Sequence, residues 1–359
     1  MPLRVLIVLT SNQRRGAEVE GSQLAQQLRD RGMAADVVAL SGTTTEPIGV
    51  HALGDRPLSW SVLRQLCARS KSADVVIAYG SSALPACAIA LAGTRTPFIY
   101  RSIGDPQQWV RGRVHRWRTG LMFRRAAHVV ALWPAAGTSI SSLYGVPAER
   151  ISCIANARPS ATPSAMSKTA ARAALGLPSQ GPVIAWVGAL SSEKQPEMAV
   201  RAVAELSDGY LAIAGDGPLK PVLADEAELL LEGRHRFLGV IDDLVPLWVA
   251  ADTVMLTSRT EGMPGVLIEA ALHGLPVVAM DVGAVGSVVI DNVTGRTVAR
   301  HADAVTLAAA LTDTLTNAER MGEAAAEYAN EHFTWTVVAP QWIALLNRVG
   351  SQRRSTRSP

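Results

Sequence analysis

The stretch EGMPGVLIEAALHGLPVV, from Glu261 to Val278, joins a glycine-rich turn, a short apolar helix and the start of a strand. The predicted helix begins near Val266, and the first amides of a helix have no intrahelical partner and sit at the positive end of its dipole. Gly262 and Gly265 allow the backbone to approach a ligand closely. The turn therefore predicts an anion site suited to a phosphate or diphosphate.

The same alternation of strand and helix continues in both directions along the chain. It predicts βαβ units and parallel sheets covered on both faces, which is an α/β architecture. With 359 residues, the chain is longer than a single core usually grows, so two domains are expected. The predicted strands are Leu3–Leu9, Ala34–Leu40, Asp74–Ala78, Pro97–Arg101, His128–Leu132, Ile151–Ala155, Val183–Val187, Tyr210–Ala214, Arg236–Leu238, Thr253–Thr257 and Pro276–Met280.

Changes in composition place the domain boundaries. The segment 158–180 is rich in Ala, Ser and Pro and is predicted to be a linker. It separates an N-terminal domain, 1–157, from a C-terminal domain, 181–334. An amphipathic helix, 335–349, is expected to pack back on the first domain, and a basic tail, 350–359, is predicted to be disordered.

Bulk composition excludes several classes of protein. A net charge of +3 is too small to indicate nucleic-acid binding by itself. The three cysteines, Cys67, Cys87 and Cys153, are scattered, which argues against disulfides and zinc and favours a cytoplasmic protein. No apolar run approaches the roughly 20 residues that span a bilayer.

Polar residues follow the predicted strands of the C-terminal domain. Lys194 comes after Val183–Val187, Glu261 comes after Thr253–Thr257, and Glu269 lies one turn into the next helix. Parallel sheets bind ligands at the carboxyl ends of their strands. Amides and a lysine suit a diphosphate, whereas carboxylates accept hydrogen bonds from hydroxyls. This combination predicts a nucleotide-sugar site, and without a DxD pattern the site is expected to hold no metal.

Glu261 to Glu269 matches the E-x7-E element of retaining glycosyltransferases of family 4, which have the GT-B fold. The resemblance covers most of the chain and is strongest after residue 181. It implies two Rossmann-like domains facing each other across a central cleft. The other matching segments, in order, are RRGAE, LYGVPAERISCIANAR, VGALSSEKQPE, LAIAGDGPL, FLGVIDDLVPLWVAADTVMLTSRTEGMP, GLPVVAMDVGAVGSVVIDNVTGRTV and the closing FTW helix.

The family resemblance also implies roles for individual residues. Glu261 would contact the hydroxyls of the transferred sugar and Lys194 the diphosphate, as the catalytic pair. Glu269 would hold the ribose. The remaining implied donor contacts lie on the turn, near the base and on the first-domain loop: Gly262, Met263, Gly265, Val266, Gly239, Val240 and Gly16.

The expected activity is transfer of a hexose-type sugar from UDP- or GDP-sugar to a hydroxyl of a glycan, lipid-linked or small-molecule acceptor. Transfer would retain the anomeric configuration by front-face attack. No cofactor is expected, because Lys194 and the helix amides could offset the leaving-group charge instead of a metal.

Several departures from the family pattern favour an alternative, a nucleotide-sugar-binding regulatory or scaffold subunit. Ala189 replaces an arginine that is frequent in the family, and YRSIGD lacks the family histidine. A replacement charge could come from Arg15, Arg101 or Arg158. A sugar epimerase is a third interpretation, although no acid and base pair for it is identified.

The segment from Arg101 to Arg125 holds seven arginines and one acid, with Trp109, Trp117 and Phe123 between them. One interpretation is a solvated helix face above core aromatics. The other is a patch that holds the protein on anionic lipid at the inner face of the membrane. Nucleic acid is not an expected partner, because no recognition motif accompanies the charge.

Overall fold

The computed structural model describes residues 2–42, 48–109, 112–162 and 164–355, and the chain forms two compact units. Unit 1 comprises Met1–Ala157 with Trp335–Pro359, and unit 2 comprises Arg158–Thr334. Each unit is built around its own parallel six-stranded sheet with helices between successive strands.

Unit 1 has the strand order β2-β1-β3-β4-β5-β6, and each neighbouring pair is parallel. Strands such as β1 and β3 are almost wholly apolar because both faces of the sheet are covered. The elements are β1 Arg4–Ser11, α1 Gly16–Asp30, β2 Ala34–Ser41, α2 Trp60–Ser70, β3 Val75–Tyr79, α3 Ala83–Ala90, β4 Phe98–Arg101, α4 Arg113–Arg125, β5 His128–Ala131, α5 Pro134–Tyr144 and β6 Ile151–Cys153.

Unit 2 has the strand order β12-β11-β10-β7-β8-β9, again parallel throughout. Strand β12 was not predicted, because its sequence GRTV has no apolar run. The elements are α6 Lys168–Leu175, β7 Val183–Val187, α7 Pro196–Ala204, β8 Tyr210–Ala214, α8 Lys220–Leu231, β9 His235–Gly239, α9 Val245–Ala250, β10 Thr253–Leu256, α10 Gly265–Leu272, β11 Val277–Met280, α11 Val285–Val288, β12 Gly295–Val298, α12 Ala304–Thr316 and α13 Ala318–His332.

The last helix, α14 Trp335–Ser355, belongs to unit 1. Its buried Val338 and Trp342 join the core cluster formed by β1 and α1. The prediction of disorder from residue 350 is wrong for 350–355, which are helical; buried Gly350 lies close to Leu3. Residues 356–359 lie outside the described residues.

The segment 158–180 differs from the predicted linker, because it is part of unit 2. It contains α6, which Ser167 caps by accepting a hydrogen bond from the Ala170 amide. Arg172 is buried, and its Nη2 lies 2.7 Å from Asp252 Oδ2 while its Nε donates to the Ala250 carbonyl. Composition predicted a linker here because the segment is rich in Ala, Ser and Pro, whereas the long side chain of Arg172 makes these contacts.

Candidate functional site

The carboxyl ends of β10, β7 and β8 meet at one edge of the unit 2 sheet, since these strands are neighbours. The turns that follow them span residues 258–264, 188–194 and 215–218. They are joined by backbone hydrogen bonds; the Leu190 amide donates to the Asp216 carbonyl at 2.9 Å. Open parallel sheets bind their ligands at this edge.

The turn after β8 has a structural role at this edge. Gly215 has a φ of +136°, and a Cβ there would lie 1.9 Å from the Gly188 carbonyl oxygen. Its amide also donates to the Gly239 carbonyl at 2.7 Å. These contacts bring Gly239 and the exposed Val240, both predicted to lie near the base, to the same edge as the turn after β7.

Lys194 and Glu261, 67 residues apart in sequence, form an ion pair at this edge. Lys194 Nζ lies 2.6 Å from Glu261 Oε1, and the Ser258 hydroxyl donates to the same oxygen at 2.6 Å. The Thr257 hydroxyl, at the end of β10, donates to the Lys194 carbonyl at 2.9 Å. Side-chain and backbone contacts therefore fix both partners of the pair in position.

The turn that carries Glu261 packs against the loop that follows β11. The Ala284 amide donates to the Gly262 carbonyl at 2.8 Å. Gly283 has a φ of +58°, and a Cβ there would lie 2.1 Å from the Glu261 carbonyl oxygen. The side chain of Met263 is buried, so the turn is anchored on both sides.

Helix α10 begins at Gly265, one residue before the predicted start at Val266. Its N-cap is Pro264, whose side chain has no hydrogen-bond acceptor to satisfy the first amides. Those amides lack intrahelical partners and carry the positive end of the dipole. The start of α10 can therefore hold an anion beside Glu261.

Glu269, the second carboxylate of the motif, is paired with Arg158. Arg158 Nε lies 2.5 Å from Glu269 Oε1. The guanidinium also covers Gly265, where a Cβ would lie 1.7 Å from its Nη2. A side chain at position 265 would therefore displace the Arg158 guanidinium.

The backbone of Arg158 is held where the chain enters unit 2. Its amide donates to the Phe333 carbonyl at 2.8 Å, and its backbone forms a parallel bridge with Thr334. From the sequence, Arg158 was only one of three candidate replacement charges. The feature that could have singled it out is its position as the last residue of LYGVPAERISCIANAR, a segment that resembles the family.

The remaining predicted positions are Ala189, Gly16 and Arg15. Ala189 occupies the turn after β7, so that turn carries no arginine beside Gly188. Gly16 is the first residue of α1 and belongs to unit 1. Arg15 is the N-cap of the same helix. The structure brings Lys194, Glu261 and the start of α10 together within unit 2.

The predicted basic segment is divided between core and surface. Arg101 is fully buried and lies 3.3 Å from Glu20, so its inclusion in a surface patch, or as a replacement phosphate ligand, is wrong. Phe123 is buried in the core beneath α4. The exposed arginines are those of α4: Arg113, Arg116, Arg118, Arg124 and Arg125. Arg111 lies outside the described residues.

Helix α4 also exposes an apolar stripe. Val114, Trp117 and Leu121 are 72%, 66% and 40% exposed. They share one helix face, because residues three and four apart are neighbours on an α-helix. We call this stripe with the five α4 arginines the α4 surface. Within the described ranges, no helix has the length and apolar content to cross a membrane.

Models of two protein families match the chain. Residues 15–157 match the model described as "Glycosyl transferase 4-like domain", and residues 181–317 match the model described as "Glycosyl transferases group 1". The two matched ranges lie one in each unit, and both models describe glycosyltransferase domains. With its two parallel sheets, each in a Rossmann-like domain, the protein has the GT-B fold.

Individual relatives agree with this assignment. The chain is 34% identical over 47% of its length to a 2-deoxystreptamine glucosyltransferase of Streptomyces kanamyceticus. It is 36% identical over 49% of its length to a D-inositol 3-phosphate glycosyltransferase of Corynebacterium glutamicum. Each match covers 46% of the relative, so the chain aligns with less than half of these proteins.

Among solved structures, the fold is similar to that of Anabaena Alr3699/HepE in complex with UDP-glucose. The TM-score is 0.83 with 24% identity, over 96% of this chain and 100% of the other. The likeness concerns the fold of the whole described chain.

Proposed function

We propose that this chain is a retaining glycosyltransferase that moves a sugar from a nucleoside-diphosphate sugar to an acceptor hydroxyl. The observation that carries the proposal is the ion pair of Lys194 and Glu261 beside the start of α10. It combines one ammonium group and helix amides, which suit a diphosphate, with a carboxylate that suits sugar hydroxyls. The UDP-glucose in the HepE complex supports a UDP-sugar as the donor, and the name of the Streptomyces kanamyceticus glucosyltransferase supports glucose as the sugar.

In this proposal, each group of the cluster has a role. Lys194 has three ammonium donors, so it can keep its contact with Glu261 while it binds the donor diphosphate. Glu261 accepts hydrogen bonds from the transferred sugar, and Glu269 accepts them from the ribose. The amides of Gly262, Met263, Gly265 and Val266 hold phosphate and sugar, the base lies near Gly239 and Val240, and Gly16 contributes from the first domain.

Arg158 supplies the second cation that Ala189 does not provide. Its guanidinium covers Gly265, at the start of the helix proposed to bind phosphate. A guanidinium has five N–H donors in a planar fork, so one arginine can contact a carboxylate and a phosphate at the same time. The diphosphate would therefore lie between Lys194 and Arg158.

The transfer step follows from this arrangement of charge. The bond between the anomeric carbon and the phosphate oxygen breaks as the acceptor oxygen bonds to that carbon from the same face. The acceptor proton passes to the departing diphosphate. Lys194, Arg158 and the helix amides stabilise the charge that develops on the leaving group, so the proposed step needs no metal.

A donor screen tests this function against the alternative of a binding subunit, which Ala189 and the missing histidine favour. Thermal unfolding is measured with UDP-, GDP- and ADP-glucose, followed by assays of donor hydrolysis and transfer on an acceptor panel. We expect UDP-glucose to stabilise the protein, by about 2.7 kcal/mol at 100 times its Kd, and to turn over. The Arg158→Gln variant should show a smaller stabilisation by UDP.

Two outcomes of the screen would contradict the proposal. Stabilisation by a nucleotide-sugar without turnover on any acceptor would support the binding subunit. A protein that no nucleotide-sugar stabilises would have neither function. Uridine serves as the control for Arg158→Gln, because it lacks the diphosphate and should bind both proteins alike.

The α4 surface is proposed to hold the enzyme on anionic lipid at the inner face of a membrane. Arginines flank an exposed stripe of Val114, Trp117 and Leu121, and α4 contains no acidic residue. Such a helix can bury its apolar stripe at the headgroup boundary while its arginines contact anionic headgroups. The proposed position fits a cytoplasmic enzyme with a lipid-linked or glycan acceptor.

Sedimentation with vesicles tests this surface. The protein should bind vesicles that contain phosphatidylserine and not vesicles of phosphatidylcholine alone. Each arginine near such a surface contributes about 1 kcal/mol, so Arg113→Gln with Arg116→Gln should weaken binding roughly 30-fold. The matched control removes two exposed arginine charges from unit 2, Arg201→Gln with Arg320→Gln, and should bind as the unchanged protein does. Equal binding to both kinds of vesicle would exclude the surface.

A further inference from the structure

Unit 1 contains an apolar cavity between α3 and α4 that the donor site does not use. Its volume is about 380 Å³, within the roughly 300–1,000 Å³ typical of small-molecule sites. Tyr100, near the end of β4, forms part of its wall. The apolar residues that line it include Leu58, Leu84, Pro85, Ile89, Trp109 and Met122.

The mouth of the cavity has two properties that point to a ligand. Leu58, in the turn before α2, and Ile89, on α3, are about half exposed there. Arg118 and His115 lie beside them on α4. Apolar side chains and the cationic side chain of Arg118 therefore lie together at the mouth of the cavity.

One wall of the cavity has an unpaired polar group. Tyr100 is fully buried, and within the described part of the chain its hydroxyl has no hydrogen-bond partner. A buried hydroxyl without a partner costs free energy, so such groups are rare and call for an explanation. The hydroxyl is itself shielded from solvent, so a ligand that shifts the lining side chains and hydrogen-bonds to it would remove this cost.

The cavity and the α4 surface share one helix. Arg118, Thr119 and Met122 line the cavity, whereas Val114, Trp117 and Leu121 form the exposed stripe on the adjacent face. A lipid chain leaving an anionic bilayer at the stripe would reach the cavity along α4. The arginines would stay with the lipid headgroup.

We infer that this cavity binds the aliphatic chain of an anionic lipid, and that this lipid carries the acceptor. The assignment of this lipid as the acceptor rests on the proposed transferase function. Binding of the chain itself is independent of the donor site, because the cavity lies in unit 1 and the Lys194–Glu261 pair lies in unit 2.

Calorimetric titration with dodecyl phosphate tests the binding, with inorganic phosphate as the headgroup alone. Thr119→Trp fills the cavity and should weaken dodecyl phosphate binding at least about tenfold. Tyr100→Phe should weaken it about three- to tenfold, because the hydroxyl contact is lost. Since that hydroxyl has no partner in the fold, Tyr100→Phe should leave the unfolding midpoint unchanged or higher.

The control Val222→Trp adds the same indole to an exposed position on α8 in unit 2 and should change the affinity by less than about twofold. Unchanged affinity in both cavity variants would overturn the inference. Displacement of dodecyl phosphate by an equal concentration of inorganic phosphate would also overturn it, because the site would then be only an anion site.

Kinetics test the link to the acceptor. In transfer assays, dodecyl glycosides should have a lower acceptor KM than the matching methyl glycosides, and Thr119→Trp should abolish the difference. Equal KM values for the two acceptors would limit the cavity to membrane anchoring and refute the acceptor assignment. If no transfer occurs but dodecyl phosphate still binds, the transferase proposal fails while the cavity assignment stands.

Discussion

Glu261→Gln should lower kcat for sugar transfer by about 10²–10³-fold, because the amide loses the negative charge that accepts hydrogen bonds from the reacting sugar. The substitution keeps the shape of the side chain. Glu261 is fixed by Lys194 Nζ and the Ser258 hydroxyl, both 2.6 Å from Oε1, so the geometry of the turn should persist. Steady-state transfer from UDP-glucose measures the effect.

Lys194→Ala completes the test, since the two residues act as one unit. Groups that act together are strongly non-additive, so the double variant should be little slower than the slower single variant. Glu205→Gln makes the same chemical change at an exposed position at the end of α7 and should leave kcat unchanged. Transfer at the original rate by Glu261→Gln and Lys194→Ala, from every accepted donor, would remove this pair from catalysis.

The sequence predicted the architecture well where apolar runs were continuous. The bounds predicted for Val183–Val187 and Tyr210–Ala214 agree with β7 and β8, because buried parallel strands are apolar on both faces. Strand β12 was missed because only its position beside β11, and not its composition, makes it a strand. Helix α14 also continues beyond the predicted end at Val349, where buried Gly350 lies close to Leu3, a contact that composition does not reveal.

The pairing of side chains was less predictable than their placement. Strand order brings Lys194 and Glu261 to one edge of the sheet, and the residue types indicated a shared site. The direct contact between Arg158 and Glu269, 111 residues apart, depends on where the chain enters unit 2. Sequence spacing carries no information about that contact, so Arg158 remained one of three candidates.

Arg101 shows the opposite error, a charge assigned to the surface that lies in the core. Arginine is almost never fully buried unless it is paired, so a surface position was the reasonable expectation. Its partner, Glu20, is an ordinary residue of α1 in the sequence. Only the fold of unit 1 places the two charges together.

Arg101→Met should lower the free energy of unfolding by about 3–5 kcal/mol, because it removes the cation that faces the buried carboxylate of Glu20. The guanidinium connects four parts of unit 1. From β4 it lies 3.3 Å from Glu20 on α1, donates to the Ile154 carbonyl and to Asn156 Oδ1 after β6, and lies 5.5 Å from the Trp342 ring on α14. Urea unfolding measures the loss.

Two further variants separate the buried charge from the lost packing. Glu20→Gln added to Arg101→Met removes the uncompensated charge, so the double variant should recover part of the stability that Arg101→Met loses. Arg4→Met removes a half-exposed arginine that lies 4.0 Å from Asp74, and because this cation is solvated the pair contributes at most about 1 kcal/mol. If Arg101→Met were no more costly than Arg4→Met, the Arg101–Glu20 pair would not hold α14 and α1 to the sheet, and apolar contacts such as those of Trp342 would have to do so alone.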